Sequence, residues 1–300
     1  MGPTAKLPSP AERNRNWQEL PEELTTSFLE RVDTLYKIVT ARKVCKSWRQ
    51  ICSRPEMWRV VDLRFSGPGY KKENDVVVNK MARNAVDWSS GEMIDFRLGY
   101  YGDDRLMNYI SERSGQLRCL HLESCSNITN EGLISMVEKL PLLEDLHLYG
   151  IPISVQTIEV AGRCCPQLKS FKLNKSRYKC PHMGCNEHAL AIAENMPGLR
   201  HLKLQGNKIA IDGLLAILKN CLHLETLDLR MCFLVAVIGP YLIKNLAQQI
   251  KDLKLPHDYT EDDEFDDRIY TCDTCDYTRP HCADPSDKDI DSDEFLGVSD

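Results

Sequence analysis

The chain has 300 residues, of which 42% are apolar, enough for a substantial core and roughly two domains. Its formal net charge of −6 joins two unlike parts: residues 258–300 hold 16 Asp and Glu against 3 Lys and Arg, whereas residues 1–257 hold 28 against 35. The longest uncharged apolar stretch, Met231 to Ile243, is broken by Gly239-Pro240 and falls short of the roughly 18 residues of a membrane crossing.

Met1 to Asn16 offers no apolar h-region and no helical pattern, so 1–16 is expected to be disordered and without a secretory signal. The expected location is therefore the nucleus and/or the cytoplasm, with the thirteen cysteines reduced. Neither a membrane nor a nucleic acid is an expected partner.

Residues 17–58 read as short helices. Leu20-Pro21-Glu22-Glu23 puts a proline near a first helical position and two carboxylates in a first turn, where they suit the positive end of the helix dipole. Leu20, Leu24 and Phe28 follow at steps of four, Leu29 and Val32 widen the stripe, and a second helix carries Ala41, Val44, Cys45, Trp48, Ile51 and Cys52. About 40 residues cannot bury so many large apolar side chains internally, so part of this surface should want a partner.

From 59 to 257 the chain is periodic. A Leu-x-x-Leu-x-Leu pattern recurs at Leu117/Leu120/Leu122, Leu143/Leu146/Leu148, Leu168/Phe171/Leu173, Leu199/Leu202/Leu204, Leu224/Leu227/Leu229 and Ile250/Leu253/Leu255, with steps of 26, 25, 31, 25 and 26. Weaker copies stand at Met93/Phe96/Leu98 and Trp58/Val61/Leu63. Each unit has a helical second half, and Gly132 to Leu146, Gly213 to Leu227 and Gly239 to Leu253 are all 14 residues apart. Pro141, Pro166 and Pro197 precede the next pattern by two residues, where a helix must stop. One strand plus one helix cannot close a core alone, but stacked units can, so the expected fold is an α/β solenoid with parallel strands on the concave face and helices on the convex face. This stretch resembles the leucine-rich repeat family. Cys125, Asn207 and Cys232 stand where that family places an inward Asn or Cys that bonds loop backbone, while Ile151 and Ser176 interrupt the series.

Side chains between the pattern leucines face away from the core. The residue between the second and third pattern positions reads Arg97, His121, His147, Lys172, Lys203, Asp228 and Lys254, a ladder expected to be largely positive and to hold an acidic or phosphorylated protein substrate. The substrate-contacting set is thus Arg97, His121, His147, Lys172, Lys203 and Lys254. The long repeat crowds Cys180, His182, Cys185 and His188 into one loop, and Cys272-x2-Cys275 with His281-Cys282 forms a half-site further on, but neither spacing matches a standard zinc finger. No metal and no cofactor are expected, because Gly67-Pro68-Gly69 lacks the spacing of a phosphate-binding loop and no Cys or Ser motif points to an activated nucleophile. Residues 258–300 are expected to be a disordered acidic tail that folds over the basic column and competes with substrate.

Trp17-Gln18-Glu19-Leu20-Pro21-Glu22-Glu23-Leu24, then Val44-Cys45-Lys46-Ser47-Trp48-Arg49, then Pro55-Glu56-Met57-Trp58 resemble the F-box in order and spacing. With the repeats behind it, the chain resembles the plant F-box/LRR-repeat proteins over residues 17 to about 256. The resemblance implies a non-catalytic substrate receptor of an SCF-type ubiquitin ligase, docked on a Skp-type adaptor and through it on a cullin. It further implies that Leu20, Pro21, Leu24, Leu29, Val32, Val44 and Trp48 face the adaptor or support the helices that do. Thr25, Thr26 and Thr40 depart from the aliphatics common at these places. A second reading of the same residues is a free-standing repeat scaffold or inhibitor whose N-terminal helices cap the solenoid.

Overall fold

A strand with apolar residues at every second position buries one face, and a unit of about 25 residues returns that face to the same place each time. The computed structural model, which describes residues 20–64, 74–174, 186–235 and 240–258, shows the result. Strands β1 (Val60–Leu63), β2 (Asp95–Gly99), β3 (Cys119–Glu123), β4 (Asp145–Tyr149), β5 (Ser170–Asn174), β6 (His201–Lys203), β7 (Thr226–Asp228) and β8 (Asp252–Lys254) form one parallel sheet in chain order. Register places Val61, Phe96, Leu120, Leu146, Phe171, Leu202, Leu227 and Leu253 in one column. All but the last are buried, each contributing on the order of 1.5–3 kcal/mol. The two weak copies of the pattern are thus true members of the sheet, and the first strand follows the N-terminal module directly.

Behind the strands lie α4 (Asp75–Ser89), α5 (Asp104–Arg113), α6 (Asn130–Val137), α7 (Val155–Cys164), α8 (Glu187–Asn195), α9 (Ile211–Asn220) and α10 (Pro240–Gln249). After β2, β3, β4, β6 and β7 the backbone turns through a left-handed residue, at Tyr100, Ser124, Gly150, Gly206 and Met231 respectively. Each of these donates its N–H to a carbonyl of the next repeat, among them Glu123, Tyr149, Asn174 and Arg230. Three of the five are not glycine, so the hydrogen bonds outweigh a cost of about 1–2 kcal/mol apiece. Asp103, Thr129 and Ser154 cap α5, α6 and α7 with their side chains. The residue after two of these caps reaches across, Asp104 accepting from Thr129 and Asn130 from Ser154, and Asn186, at the N-cap position of α8, likewise accepts from the Ala210 N–H.

These cross-repeat bonds explain the glycines at the helix starts. A Cβ on Gly132 would lie 2.0 Å from Asp104 Oδ1, and one on Gly213 would lie 2.6 Å from Asn186 Oδ1. The inward Cys and Asn positions also bond backbone as expected: Cys125 Sγ donates to the Tyr101 carbonyl at 3.3 Å, Asn207 to Leu204 at 3.0 Å and Cys232 to Leu204 at 2.8 Å. A second thiol series, not apparent in the pattern, sits at the other end of the helices. Cys165 Sγ donates to Leu140 O at 3.5 Å and Cys221 Sγ to Met196 O at 3.5 Å. Burial pushes Cys125, Cys165 and Cys232 up to about 12, so these thiols stay protonated donors.

The N-terminal module comprises α1 (Glu22–Arg31), α2 (a helical run over 34–44 with a π-helical turn at Lys37–Ala41), α3 (Lys46–Ile51) and a 3-10 turn at Pro55–Trp58. The second helix expected over 41–52 is two helices, broken at Cys45. There the backbone is extended, and Sγ accepts from the Trp48 N–H at 3.5 Å, capping α3. The module is bound to the first repeat helix by stacked aromatics. Trp58 and Trp88 lie 4.7 Å apart, the Arg42 guanidinium sits 3.8 Å from the Trp88 ring and donates to Cys52 O, and buried Lys37 donates to Met57 O at 3.1 Å. Burial lowers the pKa of Lys37, partly offset by the field of Cys52 and nearby acids.

No helix among the described residues is long and apolar enough to cross a membrane. Residues 1–19 and 259–300 lie outside the described residues, and with them the expectations of N-terminal disorder, tail disorder and tail competition.

Gly132→Ala should destabilise the chain by about 1–3 kcal/mol in urea unfolding, because the pinned Asp104 carboxylate blocks the added methyl. Gly115→Ala, which meets nothing within 4 Å, should stay within about 0.5 kcal/mol of the parent.

Candidate functional site

Two surfaces carry the residues singled out in the sequence. On the N-terminal module, Leu20, Leu24 and Val44 are exposed at 37%, 59% and 45%, and Pro21 is exposed as well. Leu29 and Trp48 are buried and Val32 is half-buried against the core, so these three hold the helices. Phe28, Tyr36 and Val39 add exposed apolar surface at 39%, 37% and 44%. Tyr36 and Val39 lie outside the apolar stripes read from the sequence, next to and within the π-helical turn. Phe28 leans on Trp48 with ring centroids 5.7 Å apart, and a salt bridge from Arg54 to Glu22 ties the end of the module to the start of α1.

On the concave face, register stacks Asp62, Arg97, His121, His147, Lys172, Lys203, Asp228 and Lys254 strand by strand. Two residues earlier, and therefore on the same face, runs a second column: Asp95, Cys119, Asp145, Ser170, His201, Thr226 and Asp252. Its carboxylates answer the cations. Arg97 bonds Asp95 at 2.7 Å and Arg64 bonds Asp62 at 2.7 Å, so two arginines face two aspartates on β1 and β2. The bond to Asp95 raises the pKa of Arg97. Burial alone would raise Asp62, but hydrogen bonds from Arg64 hold it below the usual carboxylate range.

At mid-sheet His121 and His147 meet edge to face at 5.3 Å. His147 is buried, and desolvation, followed by the fields of His121 and Lys172, brings its pKa down to about 3. It is neutral at pH 7, its Nε2 lying 3.4 Å from Asn174 Nδ2. Asp145 stands 3.7 Å from His121 Nε2 and 3.8 Å from Lys172 Nζ, and these neighbours outweigh the burial that would raise its pKa. The His121–Asp145 separation is too long for a hydrogen bond.

At the far end Lys172, His201, Lys203, Thr226, Asp252 and Lys254 line a shallow depression. Asp228 there is engaged by Arg230 through contacts of 3.0 and 2.6 Å, with Arg230 almost wholly buried, while Lys203 stands 3.8 Å away. The second column was legible at a spacing of two residues from the first, and it changes the electrostatic reading of the face.

Of the loop residues considered for metal, His188 lies 3.0 Å from Ile153 O through Nε2; Cys180, His182, Cys185, Cys272, Cys275, His281 and Cys282 lie outside the described residues. Among the described residues no group of three His, Cys, Asp or Glu is arranged to hold a metal ion.

The F-box-like family model matches residues 17–64. The chain is 44% identical over 247 residues to F-box protein SKIP19 of Arabidopsis thaliana, an alignment covering 82% of this chain and 79% of that one. It is 41% identical over 234 residues to the Arabidopsis putative F-box/LRR-repeat protein 9, covering 75% and 91%. To the Arabidopsis putative F-box/LRR-repeat protein 21 it is 39% identical over 264 residues, covering 83% and 84%.

His147 sets a pH dependence. Its folded pKa of about 3 lies below the ordinary value of 6.5, so between these values the unfolded chain binds more protons and acid favours unfolding. Stability from this residue should be constant above pH 6.5 and fall by up to about 1.4 kcal/mol per pH unit below it. Urea midpoints measured from pH 7 to pH 4 should show a shallower decline for His147→Asn than for the parent.

Proposed function

This chain belongs to the F-box/LRR-repeat family, and we propose from that premise that it is the substrate-recognition subunit of an SCF-type, cullin-based ubiquitin ligase. The N-terminal module docks on a Skp-type adaptor, the concave face of the repeats holds a protein substrate, and the chain itself performs no catalysis. Its contribution is proximity: a tethered lysine meets the ubiquitin thioester at high effective concentration instead of by bimolecular encounter. The assembly works in the nucleus and/or the cytoplasm.

The observation that carries this reading is the division of apolar residues within one small module. Leu29, Trp48, Ile51, Met57 and Trp58 already form its core, yet Leu20, Leu24, Phe28, Tyr36, Val39 and Val44 remain exposed. A helical cap for the solenoid needs the first set only. Apart from Phe28, whose ring also packs on Trp48, the second set has no contact in the module's core to explain it and suits a protein interface, where each fully buried side chain is worth roughly 1.5–3 kcal/mol. The Trp58–Trp88–Arg42 stack supports the same reading, since it holds the docking module against the repeats that present substrate.

Affinity capture with the intact chain and with a Leu20→Ala/Pro21→Ala variant tests the proposal. Adaptor and cullin peptides should be recovered with the parent and drop at least about tenfold with the variant, while both melt alike because the two residues are exposed. Failure of the parent to recover any adaptor, together with monomeric and cooperative behaviour alone, would leave only a recognition scaffold.

A further inference from the structure

The two ends of the solenoid are not alike. At the first strand Val61 and Leu63 are wholly buried, and the N-terminal module lies over β1, where buried Thr34 accepts the Asp62 N–H through Oγ1 at 3.0 Å. At the last strand Leu253 and Leu255 are only half-buried, although the seven preceding members of each of their columns are buried. Strands β1 to β7 are each followed by a helix, α4 to α10; among the described residues β8 is not. A solenoid needs a terminal unit with a polar outer face to close such an end.

The chain leaves β8 along the path of the earlier repeats. Asp258 stands three residues after Leu255, the place held by Asn207 after Leu204 and by Cys232 after Leu229, and it makes the same corner. Its N–H donates to Leu255 O at 3.0 Å, against 3.1 and 3.0 Å in those two repeats. Its carboxylate also accepts the Leu255 N–H at 2.7 Å. From Asn207 that corner leads into α9 on the convex side. Residues 259–300 follow Asp258, a length of 42, which exceeds a whole unit.

Their spacing continues the unit. Phe265, Ile269 and Cys272 stand 7, 11 and 14 residues after Asp258, just as Leu214, Leu218 and Cys221 stand 7, 11 and 14 after Asn207. Leu214 and Cys221 are buried, and Cys221 belongs with Cys165 to the thiols that bond carbonyls of the preceding repeat. Cys165 is likewise 14 residues after the inward position, held there by Ile151. One core position departs, since Arg268 falls where Ile217 is buried. Thr260 followed by Glu261-Asp262-Asp263-Glu264 supplies a capping hydroxyl and carboxylates for the positive end of a helix dipole. Those acids meet opposite charge at the open end, where exposed Lys244 and Lys251 and half-buried Lys254 stand against Glu225 and Asp252.

We infer that residues 259–272 supply the helical half of the last repeat and close the solenoid, Phe265 and Ile269 covering Leu253 and Leu255. The occupant of the open end is thus this chain's own segment, and its acidic run stays at the end of the sheet instead of entering the concave face. The inference stands apart from the receptor reading, because an uncovered apolar end must be closed whatever the repeats bind.

Hydrogen exchange read by mass spectrometry on the full-length parent and on a full-length Phe265→Ser/Ile269→Ser variant tests it. Amides of 252–255 and of 262–272 should exchange at least about tenfold more slowly in the parent, with β3 to β5 alike in both. Asp266→Ser/Asp267→Ser, altered beside the apolar stripe, should behave as the parent. Melting gives a second measurement. Leu255→Ala should lower the midpoint by at least about 2 °C more in the parent than in the Phe265→Ser/Ile269→Ser background, where its neighbours are already lost. Exchange of 262–272 at the rate of an unstructured chain in the parent, or equal Leu255→Ala shifts in both backgrounds, overturns the inference. So does protection lost from β3 to β5 in the variant, the mark of an acidic segment on the concave face. A concentration-dependent dimer whose β8 is protected in parent and variant alike overturns it too, and assigns the open end to a second copy.

Discussion

The structure rests on one constraint: the apolar column from Val61 through Leu227 must stay in register across neighbouring parallel strands. A slip of one residue in any strand would turn its leucines outward and its charges inward, exchanging several kcal/mol of burial for buried ions. Because the buried column cannot move, neither can the columns beside it. The concave surface is therefore positioned by the hydrophobic core, and its outward side chains need no loop to place them. Left-handed corners after the strands and Asx bonds between helix starts add detail to a geometry the core has already imposed.

That geometry also governs the electrostatics. A residue and the one two before it share a face, so each cation of the ladder has same-face neighbours on its own strand and on the strands to either side. Where those neighbours are Asp95 and Asp62, Arg97 is paired; where the neighbour is Asp145, one carboxylate is shared between His121 and Lys172. Toward β8 a single carboxylate, Asp228, is held by Arg230 and stands 3.8 Å from Lys203. The face is thus polar throughout, with its charges largely answered from within the sheet.

The N-terminal module meets a different constraint, since it is too short to bury all its apolar side chains. Its residues divide into Leu29, Trp48 and Trp58, which hold it together, and Leu20, Leu24 and Val44, which do not. Trp58 joins both modules, because its ring stacks on Trp88 while its indole N–H donates to Cys52 O at 2.9 Å. An adaptor bound on one side and a substrate on the other would be held in a fixed relation by that contact.

The amino-acid sequence by itself determined the solenoid, its period and its parallel sheet, because spacing along a chain is a local property and the leucines repeat it without a gap. It also determined the in-register ladder from Arg97 to Lys254 and the apolar stripe on α1, for the same reason. Pairs two residues apart, such as Arg97 with Asp95, follow from local spacing, but tertiary structure alone decided which charges meet between strands, since Asp145 and His121 are 24 residues apart and come together only through register. It decided too that Leu29 is core while Leu24 is surface, that Cys45 breaks a helix, and that Cys165 and Cys221 bond carbonyls of the preceding repeat. For the inter-strand charges and the two thiols the answer depends on what stacks against a residue from another turn of the solenoid, and for Leu29 and Leu24 on how the short helices of the N-terminal module pack, neighbours that no local spacing records.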